Sequence, residues 1–237
     1  MGISCRRICQ ALGQLGLTPE ELTAVLISHE HSDHVSGLAT YIKKFRTPVV
    51  CTPGTARQLS YRLAGIEPLL RPVAREEEVL LGQVSVTLLE ASHDCSEGAA
   101  FHIAAPDGRV GILTDTGYVA ETTARRLLGV DLLVLESNHD IELLRAGPYP
   151  YALKRRILGD LGHLSNGAAA QFAAASARAG THTILLAHLS RENNRPQLAL
   201  EAVGRALAET GWQGRLAAAP PDAVSEAFTL EGAPCGG

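Results

Sequence analysis

Short apolar runs alternate with stretches of helical periodicity along the chain. The first helical pattern covers residues 4–15, where Ile8, Ala11, Leu12 and Leu15 share one face. Thr18-Pro19-Glu20-Glu21 predicts a helix start, with the threonine as cap and the proline at the first position. A buried strand is predicted at 24–28, a helix at 35–45, a strand at 48–51 and a helix after Thr52-Pro53-Gly54-Thr55. Strands follow at 84–90, 100–104 and 109–113, the last two joined at Pro106-Asp107-Gly108. Then come a helix near 121–129, a strand at 132–136, helices near 150–159 and 165–179, and a strand at 183–187. A helix over 196–210 and weak strands near 214–218 and 225–230 precede a flexible tail, 232–237. Hairpins and crossovers together predict an α/β domain, single over residues 1–231, with a mixed sheet and outer helices.

Composition sharpens this picture. The 237 residues are 46% hydrophobic but only 4% aromatic, so the core must be built from Ala, Leu, Val and Ile. No apolar run approaches the roughly 18 residues of a membrane span, and no signal-peptide segment is visible at the start. The five cysteines are scattered, odd in number and without a C-x-x-C pair. A reduced, cytoplasmic setting away from membranes is therefore expected. The net charge of −4 argues against a wholesale basic nucleic-acid binder.

Chemistry concentrates in "ISHEHSDHVSG", residues 27–37. In extended chain every second side chain points the same way, so His29 and His31 can grip one ion. Asp33 and His34 follow at once and can reach a second. The bland alternative is a solvated polar loop, a poor use of three imidazoles. Four residues cannot complete two coordination shells, so remote ligands are expected at the ends of apolar strands. His93 in "LLEASHDCSEG", Asp115 in "GILTDTGY" and His188 in "TILLAHLSRENN" fit that description. Each alone could be an ordinary polar residue. As a set they divide into His29, His31, His93 and Asp115 for one ion, and Asp33, His34, Asp115 and His188 for the other.

The ordered motifs H-x-H-x-D-H, His, Asp, His over residues 29–188 resemble the metallo-β-lactamase superfamily. That resemblance implies a four-layered αβ/βα sandwich, a dinuclear site, and cofactors of two divalent metal ions, Zn²⁺ or Mn²⁺. Asp115 stands where the classical lactamases carry cysteine, which points away from lactam hydrolysis. The stretches "ESNHDIELLRAGPYPYALKRRILGDLGHLSN" (136–166) and "HLSRENN" (188–194) are similar to the YycJ/WalJ branch, associated with 5′→3′ exonuclease action on DNA. The resemblance therefore implies a phosphodiesterase with a metal-bridging hydroxide as nucleophile and DNA with a 5′ end as partner. Two ions against Asp33 and Asp115 leave roughly two positive charges, enough to draw a phosphodiester despite the acidic total.

His163, before Ser165-Asn166-Gly167, can contact a phosphate or protonate the departing oxygen, or merely help cap that helix. Asp33 and His163 are the candidate catalytic residues. Glu136 and His139 read as residues that orient ligands. Ser165, Asn166, Lys154, Arg155, Arg191 and Asn194 are candidate substrate contacts, although short basic runs are often only solvated helix faces. Superfamily members usually begin with two strands, one ending in an Asp-Ala-Gly-like stretch. The opening "MGISCRRI" resembles the end of that stretch without its aspartate. An N-terminal truncation is thus expected, through a start assigned too far downstream or an impaired product. Two other readings stand beside the nuclease: hydrolysis of a thioester or small cyclic phosphodiester, and a truncated, non-catalytic protein that binds DNA or a partner.

Overall fold

The computed structural model describes residues 1–228 and 230. The chain sorts into two compact units, Met1–Leu88 with Cys95–Ala99, and Leu89–Asp94 with the chain from Ala100 onward.

In the first unit, helix α1 (Cys5–Gln14) starts at Ser4, whose hydroxyl accepts from the Arg7 N–H. Strands β1 (Val25–Leu26), β2 (Val49–Cys51) and β3 (Leu70–Pro72) form a parallel sheet in that order. Helix α2 (Ser32–Val35) is followed by α3 (Leu38–Lys44) and α4 (Pro53–Arg62), and β4 (Glu78–Leu81) makes a hairpin with β5 (Val84–Glu90). The core joins Cys5, Ile27, Leu38, Tyr41, Val49 and Leu59, all nearly inaccessible.

Two expectations change here. The predicted helix 35–45 is broken at Ser36-Gly37, because the N-terminal backbone lies across it. Gly37 donates to the Met1 carbonyl at 2.9 Å, and a Cβ on Gly37 would sit 2.0 Å from the Ile3 carbonyl oxygen. Thr18 does form a capping box with Glu21, but Leu22 is extended, so only one 3-10 turn (Pro19–Glu21) follows.

In the second unit, β6 (Ala99–Ala105) and β7 (Gly108–Leu113) form an antiparallel hairpin. Strands β8 (Leu132–Glu136), β9 (Thr183–Ala187) and β10 (Arg215–Ala218) add parallel, in the order β10-β9-β8-β7-β6. Helices α5 (Glu121–Leu127), α6 (Ile141–Ala146), α7 (Tyr151–Ile157), α8 (Asn166–Arg178) and α9 (Pro196–Ala208) complete the unit. Helix α9 buries Ala199, Val203 and Leu207, four residues apart, and α8 buries the alanines at 169, 170, 173 and 174. Small side chains let such helices approach closely without voids.

The weak strand predicted near 225–230 is absent among the described residues. There the Arg215 guanidinium lies 4.7 Å from the centre of the Phe228 ring, and the backbone stays irregular. The predicted tail 232–237 lies outside the described residues. No helix among them is long and apolar enough to cross a membrane.

Candidate metal centre

The first unit carries the histidine loop. Strand-like hydrogen bonding continues past β1, with Ile27 N–H bonded to the Val50 carbonyl at 3.0 Å and the Ser28 carbonyl accepting from Ala99 at 2.9 Å. The backbone is thus held extended as it enters the loop. His31 is also extended (φ −66°, ψ 151°) and immediately precedes α2. The ring centres of His29 and His31 lie 4.6 Å apart, those of His29 and His34 4.1 Å. The Ser28 hydroxyl lies 3.1 Å from His29 Nδ1 and 3.2 Å from His34 Nδ1. One hydroxyl has one proton to give, so at least one of these rings donates to it. Asp33 Oδ2 stands 3.6 Å from His34 Nε2. Between the histidines, buried Glu30 accepts from Ser96 N–H at 2.8 Å, and its carbonyl accepts from Arg62 at 2.8 Å. Glu30 therefore anchors the loop, a role the alternation of side chains alone did not disclose.

The second unit gathers its residues at the carboxyl ends of neighbouring parallel strands. Leu113, Leu135 and Leu186 are in register across β7, β8 and β9, so the residues just beyond them emerge side by side. Asp115 (φ 56°) and His188 (φ 55°) both occupy the left-handed region. A non-glycine residue held in such a sparsely populated region costs of order 1–3 kcal/mol, and such sites cluster where function needs a fixed geometry. The Asn138 amide donates to the His188 carbonyl at 3.0 Å and fastens that turn.

Glu136 organises this cluster. It is fully buried, and its Oε1 accepts from His163 Nδ1 and His188 Nδ1 at 2.8 Å each. Its Oε2 accepts from the N–H groups of Thr116 at 3.1 Å and Leu164 at 2.9 Å. Burial alone would raise its pKa. The hydrogen bonds from the two histidines and the charge of His163 outweigh burial and hold the carboxyl below its usual range. An ionised carboxylate only accepts, so both imidazoles carry their proton on Nδ1 and present Nε2 elsewhere. His188 Nε2 lies 3.4 Å from Asp115 Oδ1. His93 shows the same pattern: Nδ1 bonds the Gly162 carbonyl at 3.1 Å, and Nε2 lies 3.9 Å from Asp115 Oδ1. Burial lowers the His93 pKa, against the opposing pull of Asp115.

Gly162 permits this arrangement, since a Cβ there would fall 2.1 Å from the Ile157 carbonyl oxygen. Ligand atoms of Asp115, Glu136, His163 and His188 all lie within 4.8 Å of one another. The Nε2 atoms of His93 and His188 both face Asp115 Oδ1, as the ligands of one ion do. Each ring is meanwhile oriented by an oxygen on Nδ1. Such a donor set suits a divalent metal.

Other expected residues fall differently. His139 is buried, its ring nitrogens have no hydrogen-bond partner among the described residues, and burial pushes its pKa down to about 4. Ser165 caps α8 by accepting from Ala168 N–H. Asn166 and Asn194 were expected at substrate, but both are buried and bonded to each other. The Asn194 amide also donates to the carbonyls of Ser137 and Asn138, and Asn166 accepts from the Ser137 hydroxyl. Their polar atoms are engaged in tying the strand ends together. Lys154, also expected at substrate, donates to the carbonyls of Arg145 at 2.6 Å and Gly147 at 2.7 Å, closing the end of α6. Arg155 lies over the exposed Tyr151 ring and Arg191 pairs with Asp222 at 2.9 Å. The basic side chain beside the histidines is Arg156, which bonds Asp94.

Fold and ligand clusters together define a class. Residues 6–189 match the β-lactamase superfamily domain, and the chain belongs to that superfamily as a metal-dependent hydrolase. The metallo-β-lactamase fold protein YhfI from Bacillus subtilis superposes with a TM-score of 0.62 at 19% identity, over 92% of this chain and 82% of that one. The chain thus has the metallo-β-lactamase fold. Within the superfamily it is 34% identical over 212 residues to Exodeoxyribonuclease YycJ of Bacillus anthracis, covering 89% of this chain and 80% of the relative. Exodeoxyribonuclease WalJ of Streptococcus pneumoniae serotype 2 is 34% identical over 201 residues, covering 84% and 75%.

Proposed function

We propose that the protein is a 5′→3′ exodeoxyribonuclease of the cytoplasm that works with two divalent ions, Zn²⁺ or Mn²⁺. The proposed ligands are His29, His31, Asp33 and His34 in the first unit and His93, Asp115 and His188 in the second. The observation that carries this reading is the pair His163 and His188 on one buried, ionised Glu136, in a chain similar over most of its length to relatives named exodeoxyribonuclease.

When bound, the ions lower the pKa of water and offset the charge that builds on the phosphate. The chain's own groups do the rest. Glu136 fixes the tautomer and tilt of His188 so that Nε2 faces Asp115. It also orients His163, much as a buried aspartate orients the histidine of a hydrolase triad. As the water oxygen bonds to phosphorus and gives up a proton to solvent, the bond from phosphorus to the sugar oxygen breaks and His163 Nε2 supplies a proton to that departing oxygen. The charge relation suits a phosphodiester better than a neutral ester, because the cationic site attracts it even at a net charge of −4.

The test is incubation of the purified protein with 5′-phosphorylated duplex DNA and Mn²⁺ or Zn²⁺. Shortening from the 5′ end, lost in H31A and D33A, is the expected result. No shortening, or shortening that survives both substitutions, overturns the reading.

A further inference from the structure

A cavity of about 310 Å³ opens within the second unit, and the proposed reaction does not yet account for it. Its apolar lining comes from Tyr149, Leu153, Ile157, Leu161 and Leu189. Leu153 and Ile157 are four residues apart on α7, and Tyr149 stands four before Leu153, so one face of this segment serves the cavity. His93, His163 and His188 line the same space, together with Arg156. The volume lies at the lower end of the roughly 300–1,000 Å³ of small-molecule sites. It suits one nucleotide and excludes a stretch of duplex.

Resting on the exonuclease reading, we propose that this cavity receives the departing nucleotide, with its base against Tyr149 and Leu153, so that each turnover releases a mononucleotide. The argument is one of continuity. His163 and His188 belong to the proposed reaction site and also line the cavity, so the nucleotide released at that site has its place there. An aromatic ring beside branched aliphatic side chains suits a planar base of any identity, because every base has a stacking face. Arg156 lines the cavity together with Asp94, to which its Nε is bonded, and the guanidinium's other N–H groups are the donors suited to the nucleotide's phosphate. Seating the base requires that it leave the duplex stack. Ends that are mismatched, where unpairing is cheaper, are therefore degraded faster than paired ones.

The experiment compares single strands that end in an ordinary nucleotide or in an abasic one, and follows product size. Mononucleotides are expected from the first time points. The ordinary end is expected to be cut about tenfold faster, in keeping with the stacking of one base on an aromatic group. In L153W, which fills the cavity, and in Y149A, that ratio falls towards one. Initial products that are short oligonucleotides overturn the proposal. So does a ratio unchanged in both variants when each melts at the wild-type temperature. A parallel titration follows line broadening of deoxyadenosine monophosphate on adding protein. Broadening that L153W abolishes supports the cavity assignment. If it occurs in a protein that leaves DNA uncut, the nucleotide cavity stands and the exonuclease reading falls. Cleavage without Leu153-dependent broadening does the reverse.

Discussion

Replacing Glu136 by glutamine removes a charge and one acceptor at a site where every acceptor is in use. Each carboxylate oxygen serves two donors: two imidazoles on Oε1 and two backbone N–H groups on Oε2. Glutamine offers one oxygen and one amino group, so one pair of donors must face another donor. If the amino group turns to the backbone, two buried N–H groups lose their acceptor. If it turns to the imidazoles, the His163 and His188 protons are opposed. Hydrogen bonds to a charged acceptor are worth about 1.5–3 kcal/mol each, so two lost bonds cost about 3–6 kcal/mol. The histidines can escape by moving their proton to Nε2. On His188 that proton would lie where Nε2 faces Asp115 at 3.4 Å, and the nitrogen could no longer bind a metal. The damage thus falls on stability or on metal affinity, the latter by about 10–100-fold. Urea unfolding of metal-free E136Q, with zinc affinity from competition against a chromophoric chelator, reads both quantities. A variant within about 0.5 kcal/mol of wild type, with unchanged zinc affinity, would refute the assignment of Glu136 as the organising group.

His139 makes stability depend on acid. Its pKa is about 4 in the fold and 6.5 when exposed, so the unfolded chain binds the proton first as pH falls. Its contribution is complete above pH 6.5 and fades towards pH 4, with about 2 kcal/mol lost by pH 5; urea midpoints at pH 7.5 and 5 should show this slope flattened in H139M. N194A strands the carbonyls of Ser137 and Asn138 and the partner atoms of Asn166, and should cost about 3 kcal/mol in the same assay. K154A removes the cap from the end of α6, lowering stability by about 1 kcal/mol. The salt dependence of DNA binding should be unaltered in K154A, because that ammonium is already committed to the protein's own carbonyls.

Much of the local architecture can be read from periodicity. The alternation of His29, Glu30 and His31 follows from extended backbone, and the strands 132–136 and 183–187 form where the apolar runs lie. The pattern is less informative where a distant segment intervenes. The helix predicted at 35–45 breaks because Met1–Ile3 cross it, and the strands at 70–72 and 78–81 are too short to stand out. Polar residues in the quoted motifs divide for the same reason. Asn166, Asn194 and Lys154 look like substrate contacts in sequence, yet each has its partners within the fold, brought near by turns that no local pattern describes.

Sequence alone determined the family, the kinds of side chain that could hold a metal and the strand ends that present them, since these depend on residue type and on neighbours a few positions away. Only tertiary structure decided which groups meet. Glu136 gathers His163 and His188, Arg156 rather than Lys154 stands at the cavity, and Tyr149 joins Leu153 there. The physical reason is that a hydrogen bond or a cavity wall is set by distance in space, and residues such as Glu136 and His188, fifty-two positions apart in the chain, are brought together only when parallel strands align.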